Sequence, residues 1–260
     1  MSGAAASSDW NPGAYHRFRG LRLRPAVDLL KAIGPLPEGA VVDLGCGSGA
    51  AGDMLVALER DVIGVDASPA MLDAARASGH YAGLVEGDIA TWQADHAPAL
   101  IYSNAALHWL GDHEMLLPKL AAMLAKGGTL AVQMPHQNNA PSHRVWASLC
   151  EEMFPGRVDH AAGPGVLNAA RYYRMLAPLG QVSLWETEYF QNLEASDSAH
   201  PVRLFTEATY ARPILEALEP AERESLITAY EAVMEKAYPR SNDGTVLFPF
   251  RRMFFTLVVA

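Results

Sequence analysis

A short apolar run, Ala40 to Leu44, breaks into Gly45-Cys46-Gly47-Ser48-Gly49 and then into a helical pattern over Ala51 to Leu58. Alternate glycines at such a point mean that the turn is tight and that the backbone must approach a ligand with no Cβ in the way. The following helix directs free N–H groups and a positive dipole end to the same place. A second apolar run, Val62 to Val65, ends at Asp66, 21 residues after Gly45, where a carboxylate can accept both hydroxyls of a ribose. The pair points to a nucleoside cofactor; a purely structural turn is the plainer alternative.

The same rhythm continues along the chain. Ser68-Pro69 reads as the N-cap and first residue of a helix. Tyr81 to Val85 reads as a third strand and Leu100 to Ser103 as a fourth. Asp112 is expected to cap a helix that runs to Ala125 and stops at Gly127-Gly128, with Thr129 to Met134 a fifth strand. Short apolar strands alternating with helices imply a parallel sheet covered on both faces. Before this block, Pro12 to Ile33 is helical in pattern and ends at Gly34-Pro35-Leu36-Pro37. After Pro135, helices are expected over Ser142–Phe154 and Asn168–Leu179, and a strand over Gln181–Tyr189. Ala199–Tyr238 reads as helical with breaks at Pro201, Pro213 and Pro220, and Thr245–Ala260 as a last extended segment. The expected layout has residues 1–34 as an N-terminal cap helix and 35–135 as the cofactor-binding α/β core. Residues 136–240 then form cap helices and a sixth strand, and 241–260 the final strand of the core sheet.

Composition excludes several classes. Lys and Arg number 20 against 29 Asp and Glu, a formal charge of −9, which disfavours a nucleic-acid backbone or an anionic membrane as partner. There is no apolar stretch of membrane-spanning length and no leader pattern at the start. Cys46 and Cys150 form neither a disulfide framework nor a C-x-x-C pair, as suits a reducing cytoplasm. The nine His residues contain no H-E-x-x-H, so no metal is expected.

Gly47-Ser48-Gly49-Ala50-Ala51-Gly52 also fits G-x-G-x-x-G, so a nicotinamide cofactor is an alternative. Asp43 argues against it: a carboxylate before the turn repels a pyrophosphate and attracts a cation or an amino group. A further acid, Asp88, follows the third strand. The segments Asp43 to Gly49, Gly64-Val65-Asp66, Gly87-Asp88-Ile89 and Tyr102-Ser103-Asn104-Ala105 resemble the successive motifs of class I S-adenosylmethionine-dependent methyltransferases. That resemblance implies a doubly wound Rossmann-like α/β sheet of seven strands, the last antiparallel, with a helical cap. It implies that Gly45, Gly47 and Gly49, with Asp43 before them, face the methionine part of the cofactor. Asp66 would then bind the ribose and Asp88 with Ile89 the adenine, while Asn104 would border the methyl group.

The likeness narrows to the family of methyltransferases acting on trans-aconitate. It rests on Ser8-Asp9-Trp10-Asn11-Pro12, Tyr15 to Leu30, Asp88 to Trp92, Ala131 to Pro135, Arg212-Pro213 and Phe250 to Phe254. It implies transfer of a methyl group to a carboxylate of a small polyacid by direct in-line displacement. The chain departs from that family at His108, where it has Gln, and at His136, where it has Asp. It departs also across Phe205 to Ala211 and at Arg251, where a Pro precedes the family's Arg, here Arg252. These positions fall where the acceptor is expected.

A carboxylate needs no base at neutral pH but does need a clamp, for which Arg offers a planar two-pronged match. Arg24, Arg212 and Arg252 are the candidates, each with a solvated surface Arg as the plainer reading. His136, Tyr15 and Trp109 join the expected acceptor site, the two aromatics because their faces attract a sulfonium. A phenol or amine acceptor would require a base, for which His108 is best placed. The expected partner is a small, anionic acceptor bound by a monomer or homodimer. An oxidoreductase using NAD, or a non-catalytic module keeping the cofactor fold, are the alternatives of another class.

Overall fold

The computed structural model describes residues 19–157, 165–207 and 210–260. Its strands are β1 (Val41–Leu44), β2 (Val62–Asp66), β3 (Gly83–Glu86), β4 (Leu100–Asn104), β5 (Thr129–Pro135), β6 (Gly180–Leu193) and β7 (Val246–Val259). They form one sheet in the order β3-β2-β1-β4-β5-β7-β6. β1 is parallel to both neighbours, with Val42 opposite Ile63 on one side and Ile101 on the other. β3 and β5 extend the parallel block outward. β7 runs the other way: Val259 bonds to Gly128 at one end of β5, and His136 donates to Arg251 beyond the other. This is the seven-stranded α/β sheet that the resemblance implied. The chain leaves β1 in one direction along the sheet and returns to β4 in the other. Such a reversal opens a crevice at the strands' carboxyl ends, and the glycine turn and Asn104 lie at those ends.

Two compact units are distinguishable. The first holds the described residues up to Met134 together with Leu167–Glu186 and Met253–Ala260. The second holds the described residues of Pro135–Val166 and Thr187–Arg252. Residues that the sequence groups as 136–240 are therefore divided between the two, and β6 and β7 contribute to each.

In the first unit β1 and β5 are buried nearly throughout, as a strand covered on both faces must be. Helix α1 (Arg19–Lys31) occupies part of the expected N-terminal helix and ends two residues before Ile33; the expected residues before Arg19 lie outside the described residues. The helix expected over Ala51–Leu58 is shorter. Only Gly52–Leu55 (α2) is α-helical; a 3₁₀ turn, Val56–Leu58, follows, and Glu59 in the left-handed region (φ 56°) ends it. Helix α3 (Pro69–Ser78) starts as expected, with Ser68 Oγ accepting from Met71 N–H and Pro69 at its first position. Helix α4 is His113–Met123, ending before Ala125, and Asp112 is no side-chain cap: its backbone is left-handed (φ 51°) and its carboxylate makes no capping bond. In α6 (Ala169–Leu176) Tyr172 meets His113 at 2.6 Å and packs on Phe255.

The second unit is built around α5 (Pro141–Met153) and α9 (Pro220–Ala237). Trp146 of α5 stacks on Tyr230 of α9 with ring centroids 3.7 Å apart, and its Nε1 donates to Thr206 at 3.0 Å. The Tyr230 hydroxyl donates in turn to the Ser142 carbonyl at 2.8 Å. A buried Trp whose N–H has a partner contributes about 3–5 kcal/mol relative to the cavity left by Ala. Pro201, Pro213 and Pro220 prove to be starts rather than breaks, falling in the first turn of α7 (Pro201–Glu207), α8 (Arg212–Glu216) and α9. There the missing N–H has no intrahelical partner to lose.

Candidate functional site

All three glycines of the turn have positive φ, +80° at Gly45, +54° at Gly47 and +83° at Gly49, a region costly for other residues. Their surroundings differ. A Cβ on Gly45 would lie 2.3 Å from that of Ala106, just after β4, and 3.3 Å from Ile89 Cδ1. Gly45 is thus fixed by close packing of three chain segments. A Cβ on Gly49 would press on the Tyr81 ring at 3.0 Å, whereas one on Gly47 would meet nothing within 4 Å. Gly47 is the open part of the cradle, the place where a ligand can lie against bare backbone.

The acids behind the turn are held in three ways. Asp66 accepts from Gly47 N–H through Oδ2 and from Ser68 N–H through Oδ1, both at 2.9 Å. Each oxygen keeps a further lone pair, so the carboxylate is oriented by backbone yet can still accept from a diol. Asp88, exposed, accepts from Ala90 N–H at 2.9 Å and so shapes the turn that presents Ile89 to Gly45. Asp43 is only 2% exposed. Burial, opposed by the Tyr81 hydrogen bond and reinforced by the charge of Asp66, pushes its carboxyl from 3.8 up to about 7. That bond runs from the Tyr81 hydroxyl to Asp43 Oδ2 at 2.7 Å across 38 positions of sequence. Asn104, ending β4, has a buried Oδ1 with no hydrogen-bond partner among the described residues, and Ala105 beyond it is left-handed (φ 54°). Such an orphaned acceptor beside the turn suits a ligand donor.

The strand expected over Tyr81–Val85 is instead Gly83–Glu86. Tyr81 lies outside it because its ring is committed to the turn, close to Gly49, Gly52 and Gly64. No spacing rule singles out this residue, since the contact is long-range.

The residues expected to serve the acceptor are more scattered. His108 is buried in a 3₁₀ turn (Leu107–Trp109), its ring 4.5 Å from that of Trp109, which is half exposed. Arg24 and Arg212 are largely solvent-exposed and paired within their own helices, Arg24 with Asp28 at 3.1 Å and Arg212 with Glu216 at 2.7 Å. Neither arrangement marks a clamp. Arg252 is different: it is 4% exposed and its guanidinium lies 4.8 Å from the centre of the Phe250 ring. His136, half-buried, bonds through its N–H to the Arg251 carbonyl. Tyr15 lies outside the described residues.

Sequence reading missed His143 and Tyr210, in the same unit as Arg252. The buried His143 ring lies 4.7 Å from Tyr210 and 6.2 Å from Phe250, and its Nδ1 is 3.0 Å from Ser142 Oγ. Burial lowers its pKa from 6.5 to about 3, so it is a neutral hydrogen-bonding group at any working pH. The adjacent Ser142-His143 at a helix start was the available signal. Among the described residues no group of His, Cys, Asp and Glu could hold a metal ion, and no helix is long and apolar enough to cross a membrane.

The sequence from Val41 to Gly128 matches the methyltransferase domain family over residues 41–128. The fold and cofactor-side motifs are those of an S-adenosylmethionine-dependent methyltransferase. A trans-aconitate 2-methyltransferase of Methylobacterium radiotolerans is 39% identical to this chain, covering 95% of it and 97% of the relative. One of Variovorax paradoxus is 41% identical, covering 95% and 96%. This chain belongs to the trans-aconitate 2-methyltransferase family. Among solved structures, the YcgJ protein of Bacillus subtilis superposes with a TM-score of 0.58 at 15% identity, covering 91% of this chain and 98% of that one. That likeness concerns the fold. The nicotinamide and non-catalytic alternatives are set aside by the family, in keeping with the buried acid under the turn.

The residues present fit S-adenosylmethionine. The described residues place no ion-pair partner beside buried Asp43, Gly47 leaves open backbone, and Asp66 keeps acceptor capacity at the end of β2.

Proposed function

We propose that this enzyme methylates a carboxylate oxygen of a small polyacid, trans-aconitate or a close relative, giving a monomethyl ester. Membership of the family, with relatives of that name aligned over nearly the whole chain, carries this reading. In it, Gly45, Gly47 and Gly49 with Asp43 receive the methionine part of the cofactor, Asp66 the ribose, Asp88 and Ile89 the adenine, and Asn104 borders the transferred group. The cofactor supplies a methyl group already activated on a positive sulfur. What is left to the protein is alignment: a new O–C bond forms as the C–S bond breaks, in one in-line step without a covalent enzyme intermediate. The acceptor is ionised at neutral pH, so no residue need remove a proton.

Arg252 is the preferred clamp because a desolvated guanidinium binds carboxylate more strongly than an exposed one. Arg24, Arg212, His136, Trp109 and Tyr15 are weaker candidates. The reading extends to a cytoplasmic protein, monomer or homodimer, whose partners are small anions rather than nucleic acid.

The test is incubation with methyl-labelled S-adenosylmethionine and a panel of di- and tricarboxylic acids, scoring alkali-labile product. Ester from a polyacid, at a rate that with saturating cofactor is nearly flat from about pH 6 to 9, is expected. No ester from any acid, with methylation of a phenol or amine rising near neutrality and lost in His108→Ala, would replace this reading with the base-assisted one.

A further inference from the structure

Tyr81 belongs to no motif of the family resemblance, yet its ring packs beneath the end of the glycine turn and against β2. Its ring would be 3.0 Å from a Cβ at Gly49 and at Gly52, and 2.9 Å from one at Gly64. These three glycines are the space into which the ring fits. The ring is positioned so that its hydroxyl donates to Asp43 Oδ2 at 2.7 Å, the one side-chain bond that the described residues give this carboxylate.

Among the described residues, the other titratable groups facing Asp43 are acids or neutral. Asp66 faces it from β2, Tyr102 from β4 and Cys46 from the turn itself. Burial pushes the thiol and both phenols well above their ordinary values, so all three stay protonated. Asp43 is thus an acid buried next to another acid, and among the described residues Tyr81 is the side chain that hydrogen-bonds its carboxylate before a ligand arrives.

We propose that Tyr81 is a positioning residue of the cofactor site: its hydroxyl orients the Asp43 carboxyl toward the cationic methionine end of the cofactor and favours its ionised form there. This rests on the reading that Asp43 lies at the cofactor. Binding is then linked to loss of a proton from Asp43. The free enzyme carries that proton below about pH 7, and a cation drawn to the site expels it. Without the hydroxyl, ionisation becomes harder and the linkage moves to higher pH.

The experiment is calorimetric titration with S-adenosylhomocysteine from pH 5.5 to 8.5 on wild type, Tyr81→Phe and Asp66→Asn. The product keeps the amino-acid ammonium group, whose own titration lies on the alkaline side of this range and is common to all three proteins. Wild-type affinity should tighten as the pH climbs to about 7. Tyr81→Phe should lose about tenfold at pH 6.5 but stay within about threefold of wild type at pH 8.5, its midpoint having moved up. Equal loss at every pH, or none, overturns the proposal, because packing alone has no pH dependence. A second readout needs no variant: at pH 6.5, buffers of different ionisation enthalpy should reveal release of more than about half a proton on binding. No release overturns it as well. Asp66→Asn separates the two layers: unchanged affinity there would sink the assignment of the site itself, whereas weakening at all pH values alongside a pH-neutral Tyr81→Phe would sink only the role of Tyr81.

Discussion

Asp43 in the first unit and His143 in the second are both buried ionisable groups, and they load the fold in opposite directions. Asp43 is raised from 3.8 to about 7, so between those values the folded protein holds a proton that the unfolded chain releases. Its contribution is fully present below 3.8 and is lost as the pH rises to about 7, on the order of 4 kcal/mol in all. His143 is lowered from 6.5 to about 3, so there the unfolded chain holds the proton. Its contribution is fully present above 6.5 and is lost as the pH falls toward 3, on the order of 5 kcal/mol. At neutral pH, then, the imidazole sits comfortably and the carboxyl does not. A packing residue can be neutral where it is needed; an acid kept at a standing cost calls for a ligand that relieves it.

The largest test of this contrast is steric. Gly45→Ala should place a methyl group into Ala106 at a left-handed position, costing about 3 kcal/mol or more and weakening S-adenosylhomocysteine binding beyond about 100-fold. Gly47→Ala should cost about 1–2 kcal/mol for the backbone alone, yet still weaken binding, because its methyl group fills the cradle. Thermal unfolding and calorimetry read both. If the two variants behave alike in stability, the packing difference between these glycines is wrong.

Next in size is the pH contrast itself. From pH 6.5 to 5, Asp43→Asn should make stability fall about 2 kcal/mol more steeply than in wild type, and His143→Gln should make it fall less steeply by a similar amount. His113 and His200, both lowered by burial, tilt all the profiles the same way and leave the differences intact. Denaturant midpoints across that range decide it; differences of the opposite sign would reverse the account. Smallest is the effect of the exposed ion pairs. Arg24→Gln and Arg212→Gln should each change stability by less than about 0.5 kcal/mol and leave methyl transfer within about twofold. Arg252→Gln should raise the acceptor KM about tenfold or more, in line with a lost charge-assisted bond.

The contrast also explains what could be read from the chain. Gly45, Asp66 and the strand alternation were legible because their roles follow from backbone geometry at strand ends, which leaves marks at short spacing. Tyr81 and His143 were not, since each acts through neighbours that only the folded chain brings near. Asp112 failed as a cap for a local reason, a left-handed backbone that aspartate tolerates. The three prolines were seen correctly as punctuation but with the wrong sign, opening helices rather than breaking them. The arginines illustrate the same limit: charge is visible in sequence, but the burial that distinguishes Arg252 from Arg24 and Arg212 is not.

The two cysteines divide between the units, Cys46 inside the glycine turn and Cys150 in α5, at 7% and 0% exposure. Burial raises both thiols, so the reactive thiolate is scarce at either site while the chain stays closed. Alkylating reagents will therefore be slow to modify the native enzyme, and whatever modification occurs will count openings. Nature has left one clock in each half: peptide mapping of the labelled protein can time the loosening of the nucleoside-binding part separately from that of its aromatic counterpart, without a single engineered probe.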